Sequence, residues 1–305
     1  MRADLFCPHC GAENPSGNTV CSVCARPALL KQRYRILEKL GQGGFAAVYK
    51  AKDLQFSSAL RAIKEMDDRL LGSLEVQEAI AAFQQEAHML AGLMHPNLPR
   101  IYDYFEEQQH WYLVMDYIDG ATLETVLARS PQGKLPVAKV IQYALQLCTV
   151  LNYLHTRIPR IVFRDLKPAN IMITREDHLY LIDFGIARFF KPGKVKDTIA
   201  LGSPGYAAPE QFGKEQTTAL ADIYSLGATL HHLLSGRDPR DQPFIFLPLQ
   251  LEPRNAMTQA LADLVNRMVA IEKEKRPVDA QEIEQALTAL QQGSQPKQPQ
   301  FTAVR

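Results

Sequence analysis

Alternating hydrophobic and polar positions predict β-strands in the first part of the chain. The pattern begins at Tyr34, Ile36 and Leu40 and recurs in four further runs, at residues 49–51, 60–66, 101–105 and 111–117. A glycine-rich stretch separates the first two runs, so its backbone N–H groups could close over phosphates. It joins a strand to a strand, whereas a dinucleotide-binding fold places its glycines between a strand and a helix.

Helical spacing of apolar residues replaces this alternation further along. It predicts helices over residues 75–94, 137–158 and 222–234, and around 261–268 and 283–290. Ala87, Leu90 and Met94 belong to the apolar stripe of the first helix. The 222–234 helix is apolar on most sides and is therefore expected to be buried. Two short apolar runs, Ile171–Thr174 and residues 179–182, predict a strand hairpin.

The composition is that of a globular protein, and only the two ends of the chain differ from it. The chain has 305 residues, 46% hydrophobic content and a net charge of +1, so it is globular and exerts no global field on nucleic acid or lipid. No apolar run of 18 residues occurs and no signal segment opens the chain, which predicts a cytosolic protein without a membrane span. The Gln- and Pro-rich residues 291–305 predict a disordered tail.

Four of the five cysteines form two C-x-x-C pairs, Cys7/Cys10 and Cys21/Cys24. Residues 3–26 offer almost nothing apolar to bury, so tetrahedral Zn²⁺ ligation, worth on the order of 10 kcal/mol, would supply the missing stability. His9 could compete as a ligand, although a solvated side chain is the simpler interpretation, and a redox switch is the rival use of the thiols. Cys148 lies within an apolar helix pattern and is expected to be a core residue.

Polar residues with a defined chemistry flank the predicted hairpin. Asp165, Lys167 and Asn170 precede it, and Asp183 follows it directly. Together they offer an acid to take a hydroxyl proton, a cation for a moving phosphate, and two oxygen ligands for Mg²⁺. These are the requirements of a phosphoryl-transfer site, and the alternative of unrelated surface charges does not explain their order.

The motifs F-R-D-L-K-P-A-N and D-F-G at these positions resemble the catalytic and metal loops of eukaryotic-like serine/threonine protein kinases. The resemblance covers about residues 34–290 and implies an α+β, two-lobed fold. The β-rich lobe would comprise residues 34–117 and the helical lobe residues 121–290. Residues 1–30 resemble a zinc-ribbon module that begins C-P-x-C-G and ends C-x-x-C.

The resemblance also implies which residues bind ATP with Mg²⁺ or Mn²⁺. The strand A-x-K supplies Lys64 for the phosphates, Glu86 would pair with it, and Asn170 and Asp183 would bind the metal. Asp165 would accept the substrate proton and Lys167 would neutralise the transferring group. The remaining nucleotide contacts are expected at Gly41, Gln42, Gly43, Gly44, Phe45, Ala46, Val48, Ala62, Met115, Asp116, Ile118 and Met172.

Two positions depart from the family pattern, since Ala46 replaces a glycine and Phe163 replaces the usual histidine before R-D. We expect Phe163 to pack against Phe184 and activity to be retained. The resemblance implies that Arg164 meets a phosphorylated Thr198, a modification that mass spectrometry of ATP-treated protein would detect.

Three structural contacts follow from the same resemblance. Ser203 should contact the catalytic loop, buried Asp222 should accept its backbone N–H groups, and Arg276 should pair with Glu210 of A-P-E.

The sequence thus predicts a protein kinase that phosphorylates Ser or Thr of protein substrates, with self-association for trans-autophosphorylation as an option. A catalytically silent kinase fold acting as a scaffold is the alternative, with the zinc ribbon binding a partner. An enzyme acting on small molecules would lack the long segment ending in A-P-E. Few aromatic or basic residues occur in 3–26, which favours protein contact over nucleic acid for the ribbon.

Overall fold

The computed structural model describes residues 5–15, 17–42, 46–66, 84, 87–108, 110–184, 188–189, 202–213 and 217–293. The chain divides into two compact units, Met1–Asp119 and Gly120–Arg305. The first is built mainly from β-strands and the second mainly from α-helices. This arrangement confirms the predicted α+β, two-lobed class.

The first unit contains a small hairpin and a five-stranded antiparallel sheet. The hairpin pairs β1 with β2, and the sheet has the order β3-β4-β5-β7-β6. The strands are β1 (Leu5–Phe6), β2 (Glu13–Asn14), β3 (Tyr34–Gln42), β4 (Ala46–Asp53), β5 (Ala59–Met66), β6 (Ile101–Glu107) and β7 (His110–Asp116).

One face of this sheet carries the core of the first unit. The core is a cluster of buried side chains contributed by four of the five strands and by the segment before β3: Leu30, Tyr34, Ile36, Ala51, Ile63, Tyr112 and Val114. Phe6 of the small hairpin packs against the same cluster. The core residues are two positions apart on β3 (Tyr34 and Ile36) and on β7 (Tyr112 and Val114), which is the period-two spacing by which the sequence pattern located strands.

The predicted helix over 75–94 is described only in part, and its end differs from the prediction. Helical residues are found at 84 and 87–91, and Ala87 and Leu90 are buried as expected. Met94 is 78% exposed, so its assignment to the apolar stripe is wrong. Gly92 follows the last helical residue, and the chain has left the helix before Met94.

Among the described residues, the second unit contains five α-helices and five short strands. The helices are α1 (Leu123–Arg129), α2 (Val137–His155), α3 (Ala219–Ser235), α4 (Ala256–Met268) and α5 (Ala280–Gly293). The strands are β8 (Gly120–Thr122), β9 (Ile161–Val162), β10 (Ile171–Thr174) and β11 (Leu179–Leu181). A further two-residue strand, β12 (Arg188–Phe189), pairs with β9.

Helix α3 lies at the centre of this unit, as its apolar composition predicts. Every residue from 221 to 234 is buried. A Cβ built on Gly227 would lie 2.6 Å from the Cβ of Met268, so only glycine permits this close approach of α3 and α4. The predicted helix 137–158 ends three residues later than α2, which ends at His155. Ile158 is fully exposed and precedes Pro159, and a proline disfavours helical structure at the residue before it.

No helix in the part of the chain that the structure describes is long and apolar enough to cross a membrane.

Candidate active site and metal centre

Strand register places the predicted nucleotide-binding side chains of the first unit on one face of its sheet. Lys64 lies opposite Val48 of β4, and Ala62 lies opposite Met115 of β7. Directly opposed residues share a face, and Ala62 and Lys64 are two residues apart, so all four lie on the same side. This is the face opposite to Ile63 and the buried core.

Asp116, at the end of β7, has its polar side chain already engaged. Its carboxylate accepts hydrogen bonds from the Arg100 N–H at 3.0 Å and from the Tyr102 hydroxyl at 2.7 Å. Its own N–H donates to the Arg100 carbonyl at 3.0 Å. Any contact with a purine at this residue therefore falls to its carbonyl oxygen. Ile118 is buried, two residues beyond.

In the second unit, three of the side chains singled out by sequence meet around the carboxylate of Asp165. Lys167 Nζ lies 2.8 Å from Asp165 Oδ2, and Asn170 Nδ2 donates to the same oxygen at 2.9 Å. The Ser203 hydroxyl donates to Asp165 Oδ1 at 2.7 Å and accepts from Lys167 at 2.6 Å. The predicted contact of Ser203 with the catalytic loop is thus confirmed.

A second, fully buried carboxylate supports this loop from beneath. Asp222 on α3 accepts the backbone N–H groups of Phe163 at 2.8 Å and Arg164 at 2.7 Å, as predicted. Arg164 has φ +73°, a backbone conformation that is unfavourable for a residue with a Cβ. The two hydrogen bonds to Asp222 and one from Gln211 Nε2 to the Arg164 carbonyl, 2.9 Å, hold it there.

The hairpin β10–β11 brings the two predicted Mg²⁺ ligands to the same end. Ile171 pairs with Leu181, and the N–H of Ile182 donates to the Asn170 carbonyl at 2.9 Å, so Asn170 and Asp183 flank adjacent strand ends. Phe184 packs edge-on against Phe163 with ring centroids 5.0 Å apart, which confirms the predicted aromatic contact. Met172 lies on β10 opposite Tyr180 and Thr122.

Several predicted site residues lie outside the described part of the chain. These are Glu86, Gly43, Gly44, Phe45 and Thr198, and the side chains of Gln42 and Ala46 are likewise not described. Gly41 is at the end of β3, opposite Val48. The roles expected for the residues outside the described part of the chain stay predictions.

A buried ion pair fixes the end of the 202–213 segment. Arg276 Nη1 and Nη2 reach the two oxygens of Glu210 at 2.7 and 3.0 Å, and the Arg276 side chain is fully buried. Arg276 also donates to three backbone carbonyls, those of Ala270, Leu220 and Ile271. The guanidinium therefore joins the segment to helix α3 and to the loop after α4, as the sequence predicted for this pair.

Replacing Arg276 by Met should lower the free energy of unfolding by about 3–5 kcal/mol, because it leaves the Glu210 carboxylate, whose side chain is only 11% exposed, without its partner. Chemical unfolding followed by circular dichroism would measure this loss. Arg267→Met is the matched control: Arg267 pairs with Glu282 at 2.9 Å with half of its side chain exposed, so its loss should cost about 1 kcal/mol or less. Equal costs for the two variants would contradict the structural importance of the buried pair.

The four paired cysteines form a compact thiol cluster in the first unit. Their sulfur atoms all lie within 4.8 Å of one another, with Cys7 Sγ 3.6 Å from Cys24 Sγ and Cys10 Sγ 3.7 Å from Cys21 Sγ. The N–H of His9 points at the sulfur of Cys7 and the N–H of Val23 at the sulfur of Cys21, each at 3.4 Å, and Asn14 Nδ2 donates to Cys21 as well. Such donors stabilise thiolates, the form that binds zinc.

The protonation of these thiols is uneven. Hydrogen bonding, chiefly from the Cys24 backbone, lowers the pKa of Cys21 to about 6, whereas burial raises the pKa of Cys7 to about 12. A cluster that contains one thiolate and one buried thiol can bind a metal cation. The cation would displace the protons of the remaining thiols. Within the described residues, the group of potential metal ligands consists of the four cysteines without His9.

His9 is not the solvated side chain that the sequence suggested. Its Nε2 atom is buried, and burial lowers its pKa, with Glu107, Glu65 and His110 in its neighbourhood. This burial results from the position of the cysteine-containing segment, residues 5–15 and 17–30, here called the cysteine module. The module packs on the five-stranded sheet of the first unit. Phe6 packs on the core cluster, and the side chain of Arg26 donates to Gln108 at 3.1 Å.

Besides Gln211, sequence reasoning missed a second residue that bears on the catalytic loop, His155. His155 Nε2 lies 2.8 Å from Asp222 Oδ2, and both side chains are buried. His155 is thus the third contact of the carboxylate that holds Phe163 and Arg164. Its only signal in the sequence is a polar residue at the end of an otherwise apolar helical stripe.

Comparison with known proteins agrees with this geometry. The sequence profile of the family described as protein kinase domain matches residues 34–288. The chain therefore belongs to the protein kinase domain family, which confirms the resemblance drawn from the motifs.

Bacterial serine/threonine-protein kinases are among its relatives. The chain is 29% identical to serine/threonine-protein kinase B of Synechocystis sp. over 295 residues, covering 92% of the chain and 50% of the relative. Serine/threonine-protein kinase C of the same organism is 36% identical over 222 residues, 70% of the chain and 41% of the relative. A serine/threonine-protein kinase of Myxococcus xanthus is 33% identical over 280 residues, 86% of the chain and 33% of the relative. The chain spans half or less of the length of these relatives.

Proposed function

We propose that this protein is a serine/threonine protein kinase that transfers the γ-phosphoryl group of ATP to Ser or Thr hydroxyls of protein substrates. The observation that carries the proposal is the network around Asp165, in which Lys167, Asn170 and Ser203 are each within 2.9 Å of its carboxylate. Loop residues gathered in this way are suited to hydroxyl activation and to charge stabilisation. The names of the bacterial relatives support the same activity.

Within this proposal, each side chain has a defined task. Asp165 accepts or orients the proton of the attacking hydroxyl, and Lys167 neutralises charge on the transferring group. Lys64 holds the α- and β-phosphates, with Glu86 as its partner. On the Lys64 face of the sheet, Val48, Ala62 and Met115 supply the apolar contacts of the base.

The donor chemistry of the second unit fits a magnesium ion. Asn170 and Asp183 offer amide and carboxylate oxygens, which are the hard ligands that Mg²⁺ prefers, and Mn²⁺ accepts the same set. The ion would neutralise phosphate charge. The position of both residues at one end of the β10–β11 hairpin supports this assignment.

Zinc is the metal proposed for the cysteine cluster. Four thiols within 4.8 Å of one another, with backbone and amide donors directed at two of the sulfurs, match a closed structural site. Thiolate ligands require a reducing compartment, so a cytosolic location is part of the same proposal.

Incubation with labelled ATP, Mg²⁺ and a generic basic protein tests the activity. Wild-type protein should label the substrate on Ser and Thr, whereas Lys64→Met should be silent because the phosphates lose their cation. Lys139→Met is the matched control, since Lys139 pairs with Asp177 in the second unit, apart from the proposed site. If wild-type protein labels nothing although it binds Mg·ATP, the molecule is a catalytically silent scaffold instead.

The same incubation tests autophosphorylation. We propose Thr198 as the modified residue, with Arg164 as the cation that meets it, ATP as the phosphoryl donor and a second copy of the chain as the enzyme that catalyses the transfer. Mass spectrometry should find Thr198 phosphorylated in wild-type protein and unmodified in Lys64→Met. An active enzyme in which Thr198 remains unmodified would remove this part of the proposal.

A further inference from the structure

A buried hydrogen bond between a tyrosine and a histidine lies below the segment that carries Ser203. The Tyr206 hydroxyl is 2.6 Å from Nδ1 of His232 on α3, and both side chains are buried. Tyr206 belongs to an apolar cluster with Ala208, Ala228 and Tyr224, which fixes its ring. The two groups thus form a defined polar contact within an apolar environment.

Burial determines which of the two groups carries the proton. It raises the pKa of Tyr206 well above its ordinary value of 10 and lowers the pKa of His232 below 6.5. At neutral pH the phenol is therefore protonated and the imidazole is neutral, so the hydroxyl donates to Nδ1. Four charged or titratable neighbours act on His232: Asp238 and Glu124 favour its protonation, and Arg240 and His231 oppose it.

A single turn connects the Tyr206–His232 hydrogen bond to the side chains of Asp165 and Lys167. The N–H groups of Tyr206 and Ala207 both donate to the carbonyl of Ser203, at 3.1 and 2.9 Å. The Ser203 hydroxyl in turn contacts Asp165 and Lys167. Gly205, within the turn, has φ +84°, and a Cβ there would lie 2.4 Å from the Pro239 backbone. The turn is therefore confined on one side by the backbone of Pro239 and Arg240 and on the other by the hydrogen-bonded Tyr206 side chain.

We propose that His232 is a positioning residue for phosphoryl transfer: by accepting the Tyr206 hydroxyl, it holds the Ser203 turn against Asp165 and Lys167. This inference rests on the kinase activity proposed above. It adds a residue that does not touch the substrate.

Protonation of His232 removes the acceptor that Tyr206 uses. Nδ1 then carries a hydrogen, the phenol proton must find another partner, and a cation is left in an apolar environment. The anchored form of the turn is therefore favoured above the pKa of His232 and lost as the pH falls through it. Transfer should decline on the acid side in step with that titration.

The pH profile of kcat between pH 5 and 8 tests the proposal, with His232→Gln as the variant. Glutamine retains an acceptor but does not titrate, so this variant should keep at least about one third of the wild-type kcat at pH 7.5 and lose part of the acid decline. His231→Gln is the matched control: His231 is the adjacent buried histidine, but its Nε2 is 2.8 Å from the Leu247 carbonyl, so the variant should keep the wild-type profile. Thermal unfolding at each pH confirms that all variants remain folded.

A double-mutant cycle and a spectroscopic titration complete the test. Tyr206→Phe should lower kcat by about threefold to tenfold at pH 7.5, in proportion to the loss of one buried hydrogen bond. Its effect should be largely lost when His232→Ala, which removes the acceptor, is already present. By NMR, the imidazole of His232 should titrate below 6.5 in wild-type protein and at a higher pH in Tyr206→Phe, because the neutral imidazole loses its donor.

The outcomes separate the two proposals. Absence of transfer by wild-type protein at every pH overturns the kinase activity, and the positioning role with it. If phosphoryl transfer occurs but kcat falls at low pH in the same way in wild type and in His232→Gln, the positioning role alone is overturned. The positioning role is likewise overturned if Tyr206→Phe and His232→Ala are additive, or if Tyr206→Phe leaves the pKa of His232 unchanged.

Discussion

Replacing Asp165 by Asn should lower kcat roughly 10²–10⁴-fold, because the group that accepts the substrate proton acts mainly in the transition state. The structure adds a second reason for a large effect. Both oxygens of Asp165 accept hydrogen bonds, from Lys167, Asn170 and Ser203, and an amide would direct its NH₂ group at one of these donors. Steady-state kinetics would measure the loss.

Nucleotide affinity is the control for this variant. The Kd of Mg·ATP, measured by calorimetry, should change by less than about threefold, because Asp165 contributes to the chemical step rather than to ground-state binding. Asp177→Asn is the matched substitution: Asp177 pairs with Lys139 and Tyr143, and its loss should leave kcat unchanged. A loss of ATP affinity as large as the loss of kcat would contradict the role assigned to Asp165.

Removal of zinc should unfold the cysteine module and lower the thermal stability of the first unit. Structural zinc in small modules is worth on the order of 10 kcal/mol, and residues 5–15 and 17–30 contain few apolar side chains of their own. Elemental analysis should find one zinc per chain, and a strong chelator should release it together with a fall in Tm. Acidification should release it as well, because protons compete for the thiolates.

Cysteine variants distinguish this site from a redox switch. Cys21→Ser should abolish stoichiometric zinc, whereas Cys148→Ala, a cysteine buried in α2 of the second unit, should leave the zinc content at one per chain. Protein purified with paired disulfides and without zinc would refute metal binding and favour oxidation of the same thiols.

The catalytic loop was predictable from sequence because its chemistry is local. Asp165, Lys167 and Asn170 lie within six residues, and the hairpin that follows brings Asp183 back to them. Two long-range contacts, Arg276 with Glu210 and Asp222 with the loop backbone, were also predicted, since a family motif specifies each partner. The strands of the first unit were located because one face of the sheet is buried.

The remaining features depend on tertiary packing that no local pattern encodes. His155 and Asp222 are 67 residues apart, and a histidine on an apolar helix has the same sequence signature whether it packs or binds. His231 and His232 are adjacent in sequence, yet one contacts the Leu247 carbonyl and the other Tyr206. The burial of His9 follows from where the cysteine module lies, which its own sequence does not determine.

The position of the cysteine module also bears on how the protein can be divided. The family match begins at Tyr34, but Phe6 and Leu30 cover the apolar face to which Ile63 and Val114 belong. A fragment trimmed to the match would expose that face to solvent, and exposed apolar patches promote aggregation. The smallest stable piece of the first unit therefore starts upstream of the conventional family boundary and includes the cysteines.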